Sequence, residues 1–371
     1  MQVSIRIVIL GRFRVRILSL DQALRFIRPT VSVVIPAYNA ASVILDTVLS
    51  VRMQTLTDFE LLIIDDGSTD NLGVVLSATL RDDPRVRVIR QANGGLAAAR
   101  NRGLAEASGS FVGFVDADDL WHPDFLLKLV RALKMKPEAP FAFAYSRRID
   151  EANNVIPTQL WRRPPQHDFV GLLTVNSVGN GSASLFRTSE IRTIGGFDRS
   201  MQALGLHGAE DWKLCLSLAA RHQPVVVAEP LVCYRLSRSS MSQANPTRQL
   251  SAVRAVMADM RASFPATPER HFRDARTMMN GWLWGAFVRK RDWKMLLRLF
   301  TQSYILNPLW FRSGALRDVH RMKIFALMQD NAVRQPLHAL NENGRQPFAY
   351  LNRLTPPPPV LMPLRLIVRQ D

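Results

Sequence analysis

Phe111-Val-Gly-Phe-Val-Asp-Ala-Asp-Asp-Leu-Trp121 joins a short apolar run to three carboxylates within four positions. Phe111 to Val115, rich in aromatic and β-branched side chains, has the make-up of a buried strand. Alternate residues of an extended segment point the same way, so Asp116 and Asp118 are expected to project together from the strand's carboxyl end. In open α/β sheets that edge is where ligands bind. Two like charges held together call for a counter-charge, and hard carboxylate oxygens suit Mg²⁺ or Mn²⁺ carrying a diphosphate. A plainer reading stands beside it: Asp118 or Asp119 caps a helix whose first turn contains Pro123.

The same strand-to-turn pattern recurs upstream. Val31-Ser-Val-Val-Ile-Pro36 is a nearly continuous apolar strand that Pro36 ends, Ala37-Tyr-Asn39 makes a turn, and Ile44, Val48 and Val51 mark a helix over 43–53. Leu61-Leu-Ile-Ile64 runs into Asp65-Asp-Gly-Ser-Thr-Asp70, a strand-to-helix turn. Val86-Arg-Val-Ile89 is a third strand, and Asn93-Gly-Gly95 breaks into the alanine-rich helix Leu96–Gly103. Strands alternating with helices at this spacing imply βαβ units and a largely parallel sheet. Further on, strands are expected at 141–146, 182–186, 225–227 and 231–234, with a polar, proline-containing loop at 150–166 and a helix at 210–219. Beyond about residue 245 the pattern is helical to roughly residue 340, followed by Pro356-Pro-Pro-Pro359. The expected division is a basic lead over 1–30, an α/β body over 31–245, and a helical basic extension with a proline-rich tail over 246–371.

The composition, 47% hydrophobic and 21% charged, is that of a globular chain of 371 residues. Its net charge of +17 is unevenly placed: residues 1–30 carry +5, residues 31–250 carry +1, and residues 251–371 carry +11. A near-neutral body with basic ends suits an anionic attachment surface. No zinc-finger spacing or RNP-type motif accompanies the charge, so nucleic acid is not the expected partner. In the C-terminal region Trp282, Trp284, Trp293, Leu296, Leu297, Phe300, Trp310 and Phe311 are interleaved with Arg289, Lys290, Arg291, Lys294 and Arg298. Aromatics with basic neighbours suit a membrane interface; the alternative is that these faces pack on the body. No apolar run of about 18 residues free of charge occurs, and residues 1–20 mix arginine through their apolar positions, unlike a signal peptide. Cys215 and Cys233 suggest no disulfide framework and a reducing compartment.

Neither G-x-G-x-x-G after the first strand nor G-x-x-x-x-G-K-[ST] is present, which removes the main support for a Rossmann or P-loop site. A nucleotide must then be held by side chains at successive strand ends. Tyr38 can stack on a base, Asp66 can accept from a pyrimidine imide, Asp116 can take a ribose hydroxyl, and Asp118 is left for the metal. Each has a bland alternative, since Asp65, Asp66 and Ser68 are ordinary turn residues and Tyr38 can simply pack. His207 and His222 lack ligand spacing and are read as surface or structural residues.

Val31-Ser-Val-Val-Ile-Pro-Ala-Tyr-Asn39, Asp65-Asp-Gly-Ser-Thr-Asp70, Asn93-Gly-Gly95 with Ala99-Arg-Asn-Arg-Gly103, and Val115-Asp-Ala-Asp-Asp119 together resemble the successive signatures of family 2 glycosyltransferases. The resemblance continues more loosely through Ile194-Gly-Gly-Phe-Asp198, Glu210-Asp-Trp212 and Tyr234-Arg235, and fades after about residue 245. It implies the GT-A fold, inversion at the anomeric centre, a nucleotide-sugar donor, most often UDP-linked, and Mn²⁺ or Mg²⁺. By position, Pro36, Tyr38 and Asp66 match the family's nucleoside contacts, with Asn39 beside them on the donor side. Asp116 matches the ribose contact, Asp118 the metal ligand, Arg100 a basic residue near the donor, and Asp211 the catalytic base. Inversion by one displacement needs a carboxylate to take the acceptor's proton on one face of the sugar and a counter-charge for the leaving diphosphate on the other. Glu210 and Asp211 also suit a helix start, where the dipole favours negative charge.

The chain departs from the family in having no histidine after Tyr234-Arg235, where Leu236, Ser237 and Arg238 follow. Arg235 or Arg238 is then the candidate to neutralise the diphosphate. Gln-x-x-Arg-Trp, the processive-synthase signature, is also absent. The expectation is transfer of one sugar to a saccharide or lipid-linked saccharide, in surface polysaccharide or glycolipid assembly, by a cytoplasmic protein peripheral to the inner membrane face. The competing classes are a sugar nucleotidyltransferase, which attacks phosphorus and releases pyrophosphate, a non-catalytic binding protein of the same fold, and a charge-driven nucleic-acid binder.

Overall fold

The structure is a computed structural model, and it describes residues 28–80, 83–156, 167–206, 208–236, 245–305, 307, 335–342 and 344–353. The basic lead, most of the polar loop's second half, His207, Arg238, Trp310, Phe311 and the proline-rich tail lie outside the described residues.

One mixed sheet organises the chain. Strands β1 (Val31–Ala37), β2 (Phe59–Asp65), β3 (Val86–Arg90) and β4 (Phe111–Phe114) run parallel in the order β3-β2-β1-β4. Their crossovers are helices α1 (Ile44–Arg52), α2 (Leu72–Thr79) and α3 (Leu96–Glu106). Every residue of β1 is buried, as expected of a central parallel strand covered on both faces. β8 (Ser184–Arg187) joins β4 antiparallel, and β6 (Phe141–Ile149) joins β8. β7 (Asn154–Ile156) and β10 (Gln335–Pro336) extend the edge. β9 (Val225–Arg235) lies parallel to β6 and also pairs with the two-residue β5 (Leu120–Trp121).

Several expectations need correcting. The strand after Phe111 stops at Phe114, and Asp116 to Asp119 form a tight turn in which the Asp119 amide donates to the Asp116 carbonyl at 3.0 Å. A turn, not the alternation of an extended strand, therefore brings Asp116 and Asp118 together. The next helix, α4 (Phe125–Met135), begins after Pro123 with Asp124 at its N-cap position, so neither Asp118 nor Asp119 caps it. The 150–166 loop contains a strand, β7, because Asn154 to Ile156 find a ready edge on β6. The two expected strands at 225–227 and 231–234 are one strand, whose pairing with β6 slips at Tyr145, a bulge that carries it past Glu229 and Pro230.

The C-terminal helices α9 (Pro246–Ser263, after the short α5 at Phe169–Thr174, α6 at Thr188–Thr193, α7 at Ser200–Ala203 and α8 at Glu210–Ala219) and α10 (Glu269–Arg289) pack on this body. Val253, Val256, Met260, Phe272 and Met279 belong to the same continuous core as the sheet. Residues 335–353 return to the far edge, where Leu337 and Phe348 join Leu120, Ile149 and Cys233 in a smaller cluster. No helix among the described residues is long and apolar enough to cross a membrane.

Close approach of α3 to β1 sets the loops at the carboxyl edge of the sheet in place, and Gly103 permits it: a Cβ there would lie 2.2 Å from Val34 Cγ1. Val34 is fully buried in the central strand and has nowhere to retreat. Gly103→Ala is therefore expected to destabilise the fold by about 1–3 kcal/mol through overpacking, read as a lowered midpoint in thermal or urea unfolding; an unchanged midpoint would contradict the close packing.

Candidate active site

Parallel pairing places the ends of β1, β2 and β4 along one edge, with Ala37 level with Asp65. Pro36 is buried in the last turn of β1, while Tyr38 is 53% exposed and free of the core. Asn39 adopts a left-handed conformation, φ +50°, which asparagine tolerates better than most residues. Its amide donates to Ser68 Oγ at 3.0 Å, and its side-chain oxygen accepts from the Thr69 amide at 2.8 Å. Asn39 thus staples the first turn to the second.

Asp66 is buried and accepts from the Gln91 side chain at 2.7 Å and from the Gly94 and Gly95 amides at 2.9 and 2.7 Å. The first amides of a helix lack intrahelical partners, and negative charge there is favoured by the dipole. Asp66 therefore anchors the start of α3: Oδ1 takes both the Gln91 side chain and the Gly94 amide, and Oδ2, which accepts from Gly95, retains a second lone pair. Gln91 is a contact that no sequence pattern announced.

One turn into α3, Arg100 points inward and is 2% exposed. Its Nη2 donates to Asp116 Oδ1 at 2.7 Å, and its Nη1 donates to Glu210 Oε1 at 3.1 Å. Burial works against its charge, but Asp116, Glu210 and Asp211 outweigh it and hold the guanidinium ionised. Arg100 thus ties the acidic turn after β4 to the start of α8. Gly181 closes over this bridge: a Cβ there would lie 2.6 Å from Arg100 Nη2 and 3.6 Å from Asp211 Oδ2.

The carboxylates divide into supporting and facing groups. Asp119 is fully buried, accepting from Ser182 Oγ at 2.6 Å and from the Arg235 amide at 2.9 Å. Ser182 Oγ in turn accepts from the Asp116 amide at 3.0 Å, so Asp119 and Ser182 fix the turn from beneath. Arg235 Nε donates to the Asp118 carbonyl at 2.8 Å, which makes Arg235 a backbone clamp on that turn. Asp118 itself is half-buried, and its carboxyl is pushed up to about 6 by burial and then by the charge of Asp116.

At the other end of the bridge, Glu210 accepts from the Gly208 and Ala209 amides at 2.9 and 3.1 Å. Both acids serve the helix start, since Asp211 Oδ1 accepts from the Trp212 amide at 2.7 Å. Asp211 is half-buried, and its carboxyl is pushed up to about 6 by burial and then by Glu210, against the opposing pull of Arg100. Asp116 acts electrostatically on both Asp118 and Asp211, so the structure brings Asp116, Asp118, Arg100 and Asp211 to one place. Tyr38, Asn39 and Asp66 lie on the neighbouring strand ends.

Among the described residues, no group of three or more His, Cys, Asp or Glu side chains is arranged to hold a metal ion by itself. An open groove of about 530 Å³ lined by Phe169, Ala220, Phe264 and Pro265 holds no ionisable side chain. It reaches the opposite end of α8, roughly 15 Å from Glu210 at 1.5 Å per residue. His222 is exposed.

Residues 32–195 match the model of "Glycosyl transferase family 2". The putative teichuronic acid biosynthesis glycosyltransferase TuaG of Bacillus subtilis is 40% identical over 120 residues, covering 32% of this chain and 46% of that protein. The chain spans less than half the length of the curated relatives it matches, 38% for the first and 21% for the next. Among solved structures, S. aureus TarS 1-349 in complex with UDP-GlcNAc superposes with a TM-score of 0.55 at 16% identity, covering 85% of this chain and 95% of that one. The mannosyltransferase PcManGT of Pyrobaculum calidifontis, in complex with GDP-Man and Mn²⁺, gives 0.52 at 20% identity, covering 82% and 87%. Over residues 32–195 the chain thus matches glycosyl transferase family 2, and it has the GT-A fold.

Proposed function

We propose that the chain transfers a single sugar from a nucleoside-diphosphate donor, a UDP-sugar first among them, to a hydroxyl acceptor with inversion. The observation that carries this reading is the buried Arg100 bridge, which sets the Asp116–Asp118 turn and Asp211 on either side of one cation. Tyr38 offers an exposed ring for the base, Asp66 and Pro36 border the nucleoside, and Asp116 takes the ribose. Asp211 accepts the proton of the acceptor hydroxyl as its oxygen attacks the anomeric carbon and the bond to the diphosphate breaks. A carboxyl near 6 is ionised at neutral pH yet basic enough for this task.

Asp118 suits a divalent cation, because the burial and like charge that now raise its carboxyl would both be offset by a metal. With few protein ligands, Mg²⁺ or Mn²⁺ would complete its shell from substrate phosphate oxygens and water, and when bound it would stabilise the departing diphosphate. Both neighbouring structures hold nucleotide sugars, one with Mn²⁺. A relative named for teichuronic acid biosynthesis supports a saccharide or lipid-linked saccharide as acceptor, in surface polysaccharide or glycolipid assembly. The basic C-terminal region supports work at the inner face of a membrane.

Asp211→Asn is expected to lower turnover by about 10²–10⁴-fold while a thermal-shift titration with UDP and Mn²⁺ still reports binding. Wild-type turnover that releases pyrophosphate instead of a nucleoside diphosphate would identify nucleotidyl transfer. The activity limb on the acid side should rise with pH through about 6, because Asp211 acts deprotonated; a profile flat from pH 5 to 8 (a window about one unit below to two above) would count against it as base. Arg100→Met leaves Glu210 and Asp116 without their counter-charge, and chemical denaturation should show a loss of roughly 3–5 kcal/mol.

A further inference from the structure

Helix α11 (Trp293–Phe300) is apolar on two sides. Its inner side, Leu296 and Leu299, is buried in a small core with Leu250, Leu283 and Phe287. Its outer side carries Trp293 and Leu297, each 68% exposed, and Phe300 at 44%. Positions i, i+4 and i+7 share a helix face, so these three form one ridge. Trp282 on α10 is also 44% exposed. Single exposed apolar side chains are ordinary, but a tryptophan and a leucine stacked one turn apart on a solvent face are costly in water.

Beside the ridge lie cations. Lys294 and Arg298 are exposed along α11, with Arg291 exposed just before it, and Arg298 and Arg276 of α10 lie near enough to Arg254 of α9 to act on its charge. Arg254 donates to the Gln302 side chain at 2.7 Å, and its charge is opposed by burial and then by Arg298 and Arg276. The nearby carboxylates are committed elsewhere: Asp292 caps α11 through the Met295 amide, and Asp274 accepts from Asn307. Three arginines from three helices thus share a region next to an apolar ridge.

We propose that this ridge docks on an anionic phospholipid surface, Trp293 and Leu297 entering the headgroup layer while Arg254, Arg276 and Arg298 meet lipid phosphates. Charge complementarity selects the lipid: an anionic leaflet strengthens attachment about fivefold for each basic residue near it, and tryptophan favours the headgroup depth. The inference deepens the membrane half of the proposed function and is read with no sugar nucleotide present, so it can fail while the transferase chemistry stands, and the reverse.

The test is co-sedimentation of the full chain with phosphatidylcholine vesicles, with and without phosphatidylglycerol, at low and high salt. Binding is expected to the anionic vesicles alone and to weaken with salt. Trp293→Ser with Leu297→Ser should reduce it by about tenfold or more, and Arg298→Glu, a change of two charge units, by about 25-fold, with unfolding midpoints unchanged because all three side chains are exposed. Equal binding to neutral vesicles would overturn the charge complementarity. No binding to either would overturn the proposal. So would a dimer in solution that the serine variants dissolve.

Discussion

A guanidinium taken out of water is tolerated only when its charge is met, and Arg100 meets that condition through Nη1 and Nη2, which span two segments that the chain brings from far apart, while its Nε has no partner among the described residues. Asp116 follows the fourth strand, whereas Glu210 opens a helix 110 residues beyond Arg100. Removing either acid leaves a buried cation half-paired; removing the cation leaves acids repelling one another. The pairing therefore has little freedom to drift. That rigidity holds the two facing carboxylates, Asp118 and Asp211, in a fixed relation while leaving both raised toward neutral pH.

The supporting layer works by the same logic. Asp119 is buried and raised well above the usual carboxylate range by burial, then by Asp118 and Asp116. Ser182 and the Arg235 amide offset part of that cost by donating to it. Ser182 is the hinge pin of this arrangement, since one hydroxyl accepts from the Asp116 amide and donates to Asp119. The indole of Trp121 donates to the Ser182 carbonyl at 2.8 Å, which fixes the serine in turn. A loop that carries acids can thus be stiff, because its backbone and the carboxylates of Asp116 and Asp119 are all held.

The C-terminal helices complete the body and do not merely trail from it. Their inner faces share the core of the sheet, which leaves the ridge on α11 and the arginines beside it as the surplus that folding does not use.

Much was legible along the chain because it is local. Strand-helix alternation follows from side-chain periodicity, and parallel pairing then sends Pro36, Tyr38, Asp66 and Asp116 to one sheet edge. The motif order carried the family and the fold, and the residues nominated around the acidic turn do assemble. Other features were decided only by tertiary contact. Asp116 and Asp118 meet through a turn, not a strand, because the chain must reverse to pair Leu120 with Cys233. Glu210 and Asp211 look interchangeable in sequence, yet it is Glu210 that pairs directly with Arg100. Ser182 and Gln91 carry no pattern at all, since a hydroxyl or an amide becomes significant only through what a distant segment places within hydrogen-bond reach. Periodicity encodes which face is buried; it does not encode which buried polar groups will find each other.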